Sequence, residues 1–194
     1  DAVMRRHFPP ANVDAGPAGL PGELPLVSGM ISRPQLRFLL RQLQRVLAAS
    51  VPGAILELGC NVGTTSLFLR RLLDAVAPER ALHAYDSFAG LPAPQAEDAS
   101  PSAVRSGSCA ATAEEFRAHF REAGLREPEL HVGTFAELAD AEYPSTVAFA
   151  FFDSDLHASI TDSFRRVYPR LAPDGVICVH DYGSILLPGV KRAC

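Results

Sequence analysis

The sequence lacks several features that would assign the chain to other classes of protein. None of its four cysteines forms a C-x-x-C pair, so the pattern indicates neither a zinc site nor a thioredoxin-type motif. No apolar run reaches the roughly 18–20 residues that a membrane-spanning helix needs. The first residues also lack the apolar region of a signal peptide. We therefore expect a cytoplasmic protein with reduced thiols and no membrane partner.

An excess of basic charge is missing too. The formal net charge is −4, whereas surfaces that bind nucleic acid are built from clustered lysine and arginine. Nucleic acid is therefore not an expected partner. The 47% hydrophobic and 21% charged residues are those of a globular protein, which excludes a wholly disordered chain. The length of 194 residues suits one domain with a proper core.

The first part of the chain predicts an irregular arm followed by a helix. Residues 1–27 are rich in Pro, Gly and Ala without periodicity, so we expect an arm in front of a domain over 28–194. Ser32, Pro34 and Gln35 have the pattern of a helix start with a capping box. Because the chain begins with Asp1 and not Met, we expect a processed form or a piece of a longer chain.

The rest of the sequence alternates strands and helices. Strands are predicted over 54–58, 81–85, 130–132, 147–152 and 175–179, and helices over 64–76, 112–124 and about 158–171. This alternation predicts an α/β fold with a mostly parallel, doubly wound sheet, whose strand ends gather at one ligand-binding edge. The insertion over 91–111 predicts a lid or an irregular loop.

A glycine-bearing turn follows the first strand. Glu57, Gly59 and Gly63 lie between a strand and a helix, which is the context of a nucleotide-type loop. Asn61 replaces the glycine that lets a pyrophosphate approach, and Glu57 would repel a pyrophosphate but pair with the ammonium group of a methionine moiety. The turn therefore favours S-adenosylmethionine over a nicotinamide cofactor. A plain tight turn is the alternative.

Polar residues also follow the second and third strands. Asp86 ends the second strand, where a carboxylate can accept both hydroxyls of a ribose, and Ser87 is a candidate for the same site. Gly133 and Thr134 follow the third strand, where an adenine edge would lie. Ordinary turn and capping chemistry remains the alternative for each of them.

Carboxylates and a histidine follow the last two strands. Asp153 and Asp155 come after the fourth strand, and His180 and Asp181 after the fifth. Together they suit a divalent cation, Mg²⁺ or Ca²⁺ if oxygen dominates and Mn²⁺ or Fe²⁺ if His180 ligates. The alternative is that the aspartates cap the following segments while His157 and His180 are solvated or hydrogen-bonded.

Four other histidines lie outside this group of carboxylates and histidines at the strand ends, so we expect them to be structural or exposed: His7, His83, His119 and His131. Three hydroxyl residues lack the elbow context of a nucleophile, which gives hydrolase chemistry little support: Ser87, Ser154 and Thr161.

With these residues in place, the chain resembles the macrocin O-methyltransferase family, whose members methylate sugar hydroxyls of macrolide and aminocoumarin natural products. The resemblance spans about residues 51–193. It rests on ordered motifs, which are PGAILELG (52–59), YDSFAGLP (85–92), FDSDL (152–156), YPRLAPDG (168–175), HDYG (180–183) and PGVKRA (188–193).

The resemblance implies a Rossmann-like class I methyltransferase fold, S-adenosylmethionine as cofactor and a metal, most often Mg²⁺. It implies that Asp153 binds the metal and that Asp155 is the general base. His157, where the family often has Tyr, is a second candidate base. His180 stands where the family usually has Asp, so Mn²⁺ or Fe²⁺ are alternatives to Mg²⁺.

The family also continues past residue 193 with a helix and an antiparallel strand pair. We therefore expect a sheet whose C-terminal strands are missing, with an exposed edge that favours association into a homo-oligomer. The expected function is metal-assisted methylation of a small-molecule hydroxyl, with Asp153, His180 and Asp181 at the metal. The alternatives are a non-catalytic methyltransferase-like binding protein and, more distantly, an NAD-dependent dehydrogenase.

Overall fold

The residues that the computed structural model describes, 25–99 and 104–194, contain five strands and five α-helices. The strands are β1 (Ala54–Leu58), β2 (Leu82–Asp86), β3 (Glu129–Val132), β4 (Val147–Phe152) and β5 (Leu171–Val179). The helices are α1 (Arg33–Ala48), α2 (Thr64–Val76), α3 (Ala113–Glu122), α4 (His157–Val167) and α5 (Pro188–Ala193). Most of the predicted arm and residues 100–103 of the predicted lid lie outside the described residues.

The strands form one parallel sheet in the order β3-β2-β1-β4-β5. The central strand β1 pairs with β2 on one side and with β4 on the other. The strand order therefore reverses direction at β1 and β4, which is where open α/β sheets bind ligands beyond the carboxyl ends of their strands. The predicted doubly wound α/β sheet is confirmed.

Helices cover both faces of the sheet. Leucines of α1 and α2 pack against Ile55, Phe149 and Phe151 on one face, and α3 joins that layer through its two phenylalanines. On the other face α4 and α5 pack against β1 and β4. All six residues of β4 are buried, as expected for a central parallel strand.

The predicted start of α1 is confirmed in detail. Ser32 caps the helix: its side chain accepts the backbone N–H of Gln35, and the side-chain oxygen of Gln35 accepts the backbone N–H of Ser32. The predicted capping box of α3 is also present between Thr112 and Glu115. Gly124, expected to stop α3, has a φ of +64°, a left-handed conformation that glycine adopts without strain.

The segment after α4 differs from the prediction. The helix expected to reach residue 171 ends at Val167 and continues as a 3₁₀ turn over Tyr168–Arg170. The reason is Pro169, whose ring blocks an α-helix and which has no N–H to donate. The strand β5 then begins at Leu171, four residues before the predicted start, and pairs with β4 through a register shift at the expected Pro-Asp-Gly break.

Backbone hydrogen bonds join the two ends of the segment that follows β2. The backbone N–H of Leu91 donates to the carbonyl of Ser108, and that of Gly107 donates to the carbonyl of Leu91, each at 2.8 Å. A short 3₁₀ turn over Ala96–Asp98 follows the first of these contacts. Among the described helices, none is both long and apolar enough to cross a membrane.

Candidate functional site

The turn after β1 brings two chain segments unusually close together. Gly59 has a φ of +94°, and a side-chain carbon at this position would lie 2.1 Å from the backbone oxygen of Asp153. Only glycine allows the end of β1 to approach the end of β4 in this way. Gly63 has a φ of +88° and occupies the N-cap of α2. The lack of a side chain at Gly59 therefore lets Asp153 lie directly against this turn.

Asp86 stabilises this turn from the end of β2. Its two carboxylate oxygens accept the backbone N–H groups of Asn61 and Phe88, each at 2.8 Å. Burial raises the pKa of Asp86, and these N–H groups partly offset the effect. Each oxygen retains a lone pair, so the carboxylate can still accept hydrogen bonds from a ligand.

Asn61 has a second role that the sequence pattern did not indicate. Its side-chain amide donates to the backbone oxygen of Cys109 at 2.7 Å. The turn after β1 is thus tied to the far end of the predicted lid.

Glu57 is almost completely buried, with 1% of its surface exposed. Its carboxylate accepts a hydrogen bond from Ser66, but burial raises its pKa well above the usual range. A carboxylate in such surroundings gains from a cationic partner. That Glu57 faces an ammonium group stays a prediction.

A cavity of about 490 Å³ opens beside these residues, at the carboxyl ends of the strands. Nine of the predicted site residues line it, and they are Glu57, Gly59, Asn61, Asp86, Ser87, Gly133, Thr134, Asp153 and Asp155. Gly63 and His157 do not line it. His157 is the first residue of α4, and its backbone N–H donates to Asp98.

The predicted metal ligands converge at the ends of β4 and β5. His180 Nδ1 lies 2.8 Å from a carboxylate oxygen of Asp153 and 2.9 Å from one of Asp181. Nδ1 is buried between these two carboxylate oxygens. Burial alone would lower the pKa of His180, but Asp153 and Asp181 outweigh burial and raise it to about 10.

Asp155 lies on the same loop and faces the first cavity. Burial, followed by the negative charges of Asp153 and Asp181, raises its pKa to about 6. A carboxyl group with such a pKa is a stronger base than an exposed aspartate and is still ionised at neutral pH.

Gln35 contacts the other side of His180. Its side-chain amide nitrogen lies 3.0 Å from His180 Nε2, while its oxygen completes the capping box of α1. The sequence indicated Gln35 only as a capping residue. The contact arises because α1 packs beside β5, which no local pattern shows.

A second cavity of about 680 Å³ lies on this side. Phe38 and Tyr182 line it together with His180 and Asp181, whereas Asp153 lines the first cavity. The triad of Asp153, His180 and Asp181 is therefore situated between the two cavities.

His83 and His131, expected to be structural or exposed, are structural, because they pair with each other. His83 of β2 and His131 of β3 share a hydrogen bond of 3.1 Å between ring nitrogens, with Glu129 close by. The strand register places them together, because His83 lies opposite Glu129 in the pairing of β2 with β3. His119 is structural, as expected, since its ring contacts the backbone oxygen of Val62. His7 lies outside the described residues.

Comparisons with known proteins identify the family of the chain. The model of the macrocin-O-methyltransferase (TylF) family matches residues 18–194. The chain is 30% identical over 191 residues to the 8-demethyl-8-(2,3-dimethoxy-alpha-L-rhamnosyl)-tetracenomycin-C 4'-O-methyltransferase of Streptomyces olivaceus, covering 94% of the chain and 73% of that enzyme. It is 28% identical to the demethyldecarbamoylnovobiocin O-methyltransferase of Streptomyces niveus, covering 84% of the chain and 65% of that enzyme.

Solved structures show the same fold. The O-methyltransferase NovP superimposes with a TM-score of 0.74 at 23% identity, covering 99% of the chain and 83% of NovP. The calicheamicin methyltransferase CalS11 gives a TM-score of 0.71 at 24% identity, covering 94% of the chain and 77% of CalS11. The chain therefore belongs to the macrocin O-methyltransferase family, with the class I methyltransferase fold and the S-adenosylmethionine cofactor of that family.

Proposed function

We propose that the chain methylates a sugar hydroxyl of a natural product, with a divalent cation held by Asp153, His180 and Asp181. The observation that carries this proposal is the convergence of these three groups between two cavities. The relative from Streptomyces olivaceus supports the substrate class, since its name describes 4'-O-methylation of a rhamnosyl compound.

The first cavity fits S-adenosylmethionine. Its volume of about 490 Å³ is within the range of small-molecule sites, roughly 300–1,000 Å³. Glu57 would bind the ammonium group of the methionine moiety, and Asp86 would accept hydrogen bonds from the ribose. Gly133 and Thr134 would border the adenine, and Ser87 would lie beside the ribose.

The triad fits a divalent cation. One nitrogen and two carboxylate oxygens can be chosen within 4.8 Å of one another, and His180 Nδ1 is buried beside both carboxylates. Two carboxylates beside an imidazole satisfy Mn²⁺ or Fe²⁺ better than Mg²⁺, which prefers oxygen alone. We therefore propose Mn²⁺ or Fe²⁺ over the Mg²⁺ that the resemblance implies.

The residues around the triad would orient and activate the acceptor. A bound cation supplies Lewis-acid chemistry that lowers the pKa of an acceptor hydroxyl. Asp155 would take the proton of that hydroxyl. The acceptor oxygen then bonds to the methyl carbon as the carbon–sulfur bond breaks, which yields the methyl ether and S-adenosylhomocysteine.

The second cavity is the proposed acceptor site. The exposed rings of Phe38 and Tyr182 offer apolar faces to a sugar and its aglycone. His180 and Asp181 form the polar end of this cavity. An acceptor lying there would present its hydroxyl to the triad.

Two measurements test the proposal. Calorimetry should show binding of S-adenosylhomocysteine, and label from methyl-labelled S-adenosylmethionine should appear on a glycosylated natural product only when Mn²⁺ or Fe²⁺ is present. Asp155→Asn should bind S-adenosylhomocysteine normally but transfer methyl at least about 100-fold more slowly. Failure of the wild type to bind S-adenosylhomocysteine would refute the proposal. Binding without transfer to any acceptor of a sugar panel would favour the non-catalytic alternative.

A further inference from the structure

The helix α4 begins without a capping side chain of its own. Its N-cap residue is Leu156, which is buried and offers no acceptor to the first backbone N–H groups. The first turn of a helix has four such groups without partners inside the helix. Since α4 starts directly after the loop of Asp153 and Asp155, a loose first turn would also loosen that loop.

A residue distant in sequence supplies the missing acceptor. Asp98 Oδ1 accepts the backbone N–H of His157 at 2.7 Å, and Oδ2 accepts that of Gln95 at 2.9 Å. Asp98 is buried, with 9% of its surface exposed. A carboxylate at the first turn also interacts favourably with the helix dipole.

The 3₁₀ turn that carries Asp98 is held from a second side by α5. A side-chain carbon at Gly189 would lie 1.9 Å from Asp98 Oδ1, so only glycine permits this approach. The guanidinium group of Arg192 donates to the backbone oxygen of Glu97. The turn Ala96–Asp98 is therefore fixed between α4 and α5.

The same segment also forms part of the cofactor cavity. Gly90, Leu91 and Pro92 line that cavity, a few residues before Asp98. The segment thus connects a wall of the cavity to the first turn of α4. The loop of Asp153 and Asp155 runs directly into that turn.

We propose that Asp98 is a positioning residue that caps α4 and thereby holds the cofactor cavity wall and the Asp153–Asp155 loop in one arrangement. The predicted lid is anchored at Asp98 and does not open there as a free flap. This inference rests on the proposed function in so far as the loop serves cofactor and metal binding.

Hydrogen exchange and ligand binding test the inference together. In Asp98→Ala, the amide of His157 should exchange about fivefold faster or more, as expected for the loss of a helix cap. The variant should also bind S-adenosylhomocysteine and Mn²⁺ several-fold more weakly. In Asp98→Asn, the amide oxygen can still accept from His157, so binding should recover while only the Gln95 amide loses protection. Glu97→Ala, at an exposed neighbour, is the matched control and should behave as the wild type.

The outcomes separate this inference from the proposed function. Unchanged His157 exchange in Asp98→Ala would overturn the cap, and unchanged ligand affinity in that folded variant would overturn the positioning role. If Asp98→Ala does not fold, equal protection changes at Gln95 and His157 in Asp98→Asn would overturn the inference. A wild type that binds neither ligand would instead refute the proposed function, while exchange at His157 still decides the cap.

Discussion

Two clusters in this protein contain the same types of side chain but differ in how their nitrogen atoms are used. One is the triad of Asp153, His180 and Asp181, and the other, here called the β2–β3 cluster, is His83, Glu129 and His131. Each cluster offers one nitrogen or oxygen per residue within 4.8 Å of the others. Residue types and distances alone would assign a metal to both.

In the β2–β3 cluster the nitrogens are satisfied by each other. The rings of His83 and His131 lie nearly parallel at 17°, with centroids 5.4 Å apart and facing nitrogens 3.1 Å apart. Each facing nitrogen lies one ring radius from the centroid of its ring, and the centroids are farther apart than the nitrogens by two such radii. The rings therefore meet edge to edge, joined by an N–H···N hydrogen bond. A cation cannot lie between nitrogens that point directly at each other at this separation. Burial lowers the pKa of His83, with Glu129 opposing and His131 adding to the effect.

In the triad, by contrast, His180 Nδ1 faces two carboxylate oxygens, 2.8 Å away on Asp153 and 2.9 Å away on Asp181. One imidazole nitrogen with two carboxylates is a donor set that suits a divalent cation. The comparison teaches that the partner each nitrogen faces, more than residue type, separates the cluster proposed to hold a metal from a structural histidine pair. The following changes should affect one cluster and leave the other intact.

The largest effect should come from displacing the triad through Gly59. Gly59→Ala adds a carbon 2.1 Å from the backbone oxygen of Asp153 at a φ of +94°. It should cost about 3 kcal/mol or more, from overpacking and backbone strain together. The control is Gly124→Ala, which has a left-handed φ but no atom within 4 Å, and should cost only about 1 kcal/mol. Equal losses in urea unfolding would contradict the close approach.

Removal of one ligand should abolish metal binding at the triad. Asp153→Asn should weaken Mn²⁺ binding by more than about 100-fold, because changes to outer-shell partners alone cost 10–100-fold. His131→Gln should leave Mn²⁺ binding unchanged, since the β2–β3 cluster does not hold the metal. Calorimetric titration measures both, and a loss of binding in His131→Gln would reverse the assignment of the two clusters.

A change at Gln35 should strengthen metal binding at the triad. If Nδ1 of His180 binds the metal, Nε2 carries the proton and needs an acceptor. Gln35→Glu supplies a carboxylate acceptor and keeps the capping box, so Mn²⁺ should bind up to about tenfold more tightly. Ser32→Ala, which disturbs the capping box and leaves Gln35 in place, is the control. Equal or weaker affinity in Gln35→Glu would show that Nδ1 is not a ligand.

The smallest effect should be on how the stability of the protein changes with pH, through the β2–β3 cluster. Because burial lowers the folded-state pKa of His83, the unfolded chain takes up its proton first as the pH falls below the ordinary value of about 6.5. Stability is therefore present above that pH and is lost below it. His83→Gln should reduce the loss of melting temperature between about pH 7 and pH 5.5. An unchanged pH dependence in His83→Gln would exclude His83 as its source.

The sequence predicted the triad because a single rule of the fold determines it. Polar residues directly after neighbouring parallel strands meet at one edge, so Asp153, His180 and Asp181 follow from strand assignment alone. Glu57 and Asp86, among the last residues of β1 and β2, follow from a similar rule, since the carboxyl ends of these strands lie at the same edge. The capping boxes of α1 and α3 were predictable because each lies within four consecutive residues.

What the sequence did not indicate depends on contacts between distant elements. His83 and His131 meet through the register of β2 with β3, which a strand pattern does not define. Gln35 reaches His180 only because α1 packs beside β5. Asp98 caps a helix that begins far along the chain, so the usual signal, a capping residue next to the helix, is missing at Leu156.

The central claim is that Nδ1 of His180 binds the metal. Pulsed electron paramagnetic resonance of Mn²⁺ bound to the wild type tests it most directly, with His180→Asp, which restores the family's usual residue, as the control. We predict a nitrogen hyperfine signal in the wild type that disappears in His180→Asp while Mn²⁺ remains bound. Absence of the signal from the Mn²⁺-loaded wild type, or its persistence in His180→Asp, would contradict the account.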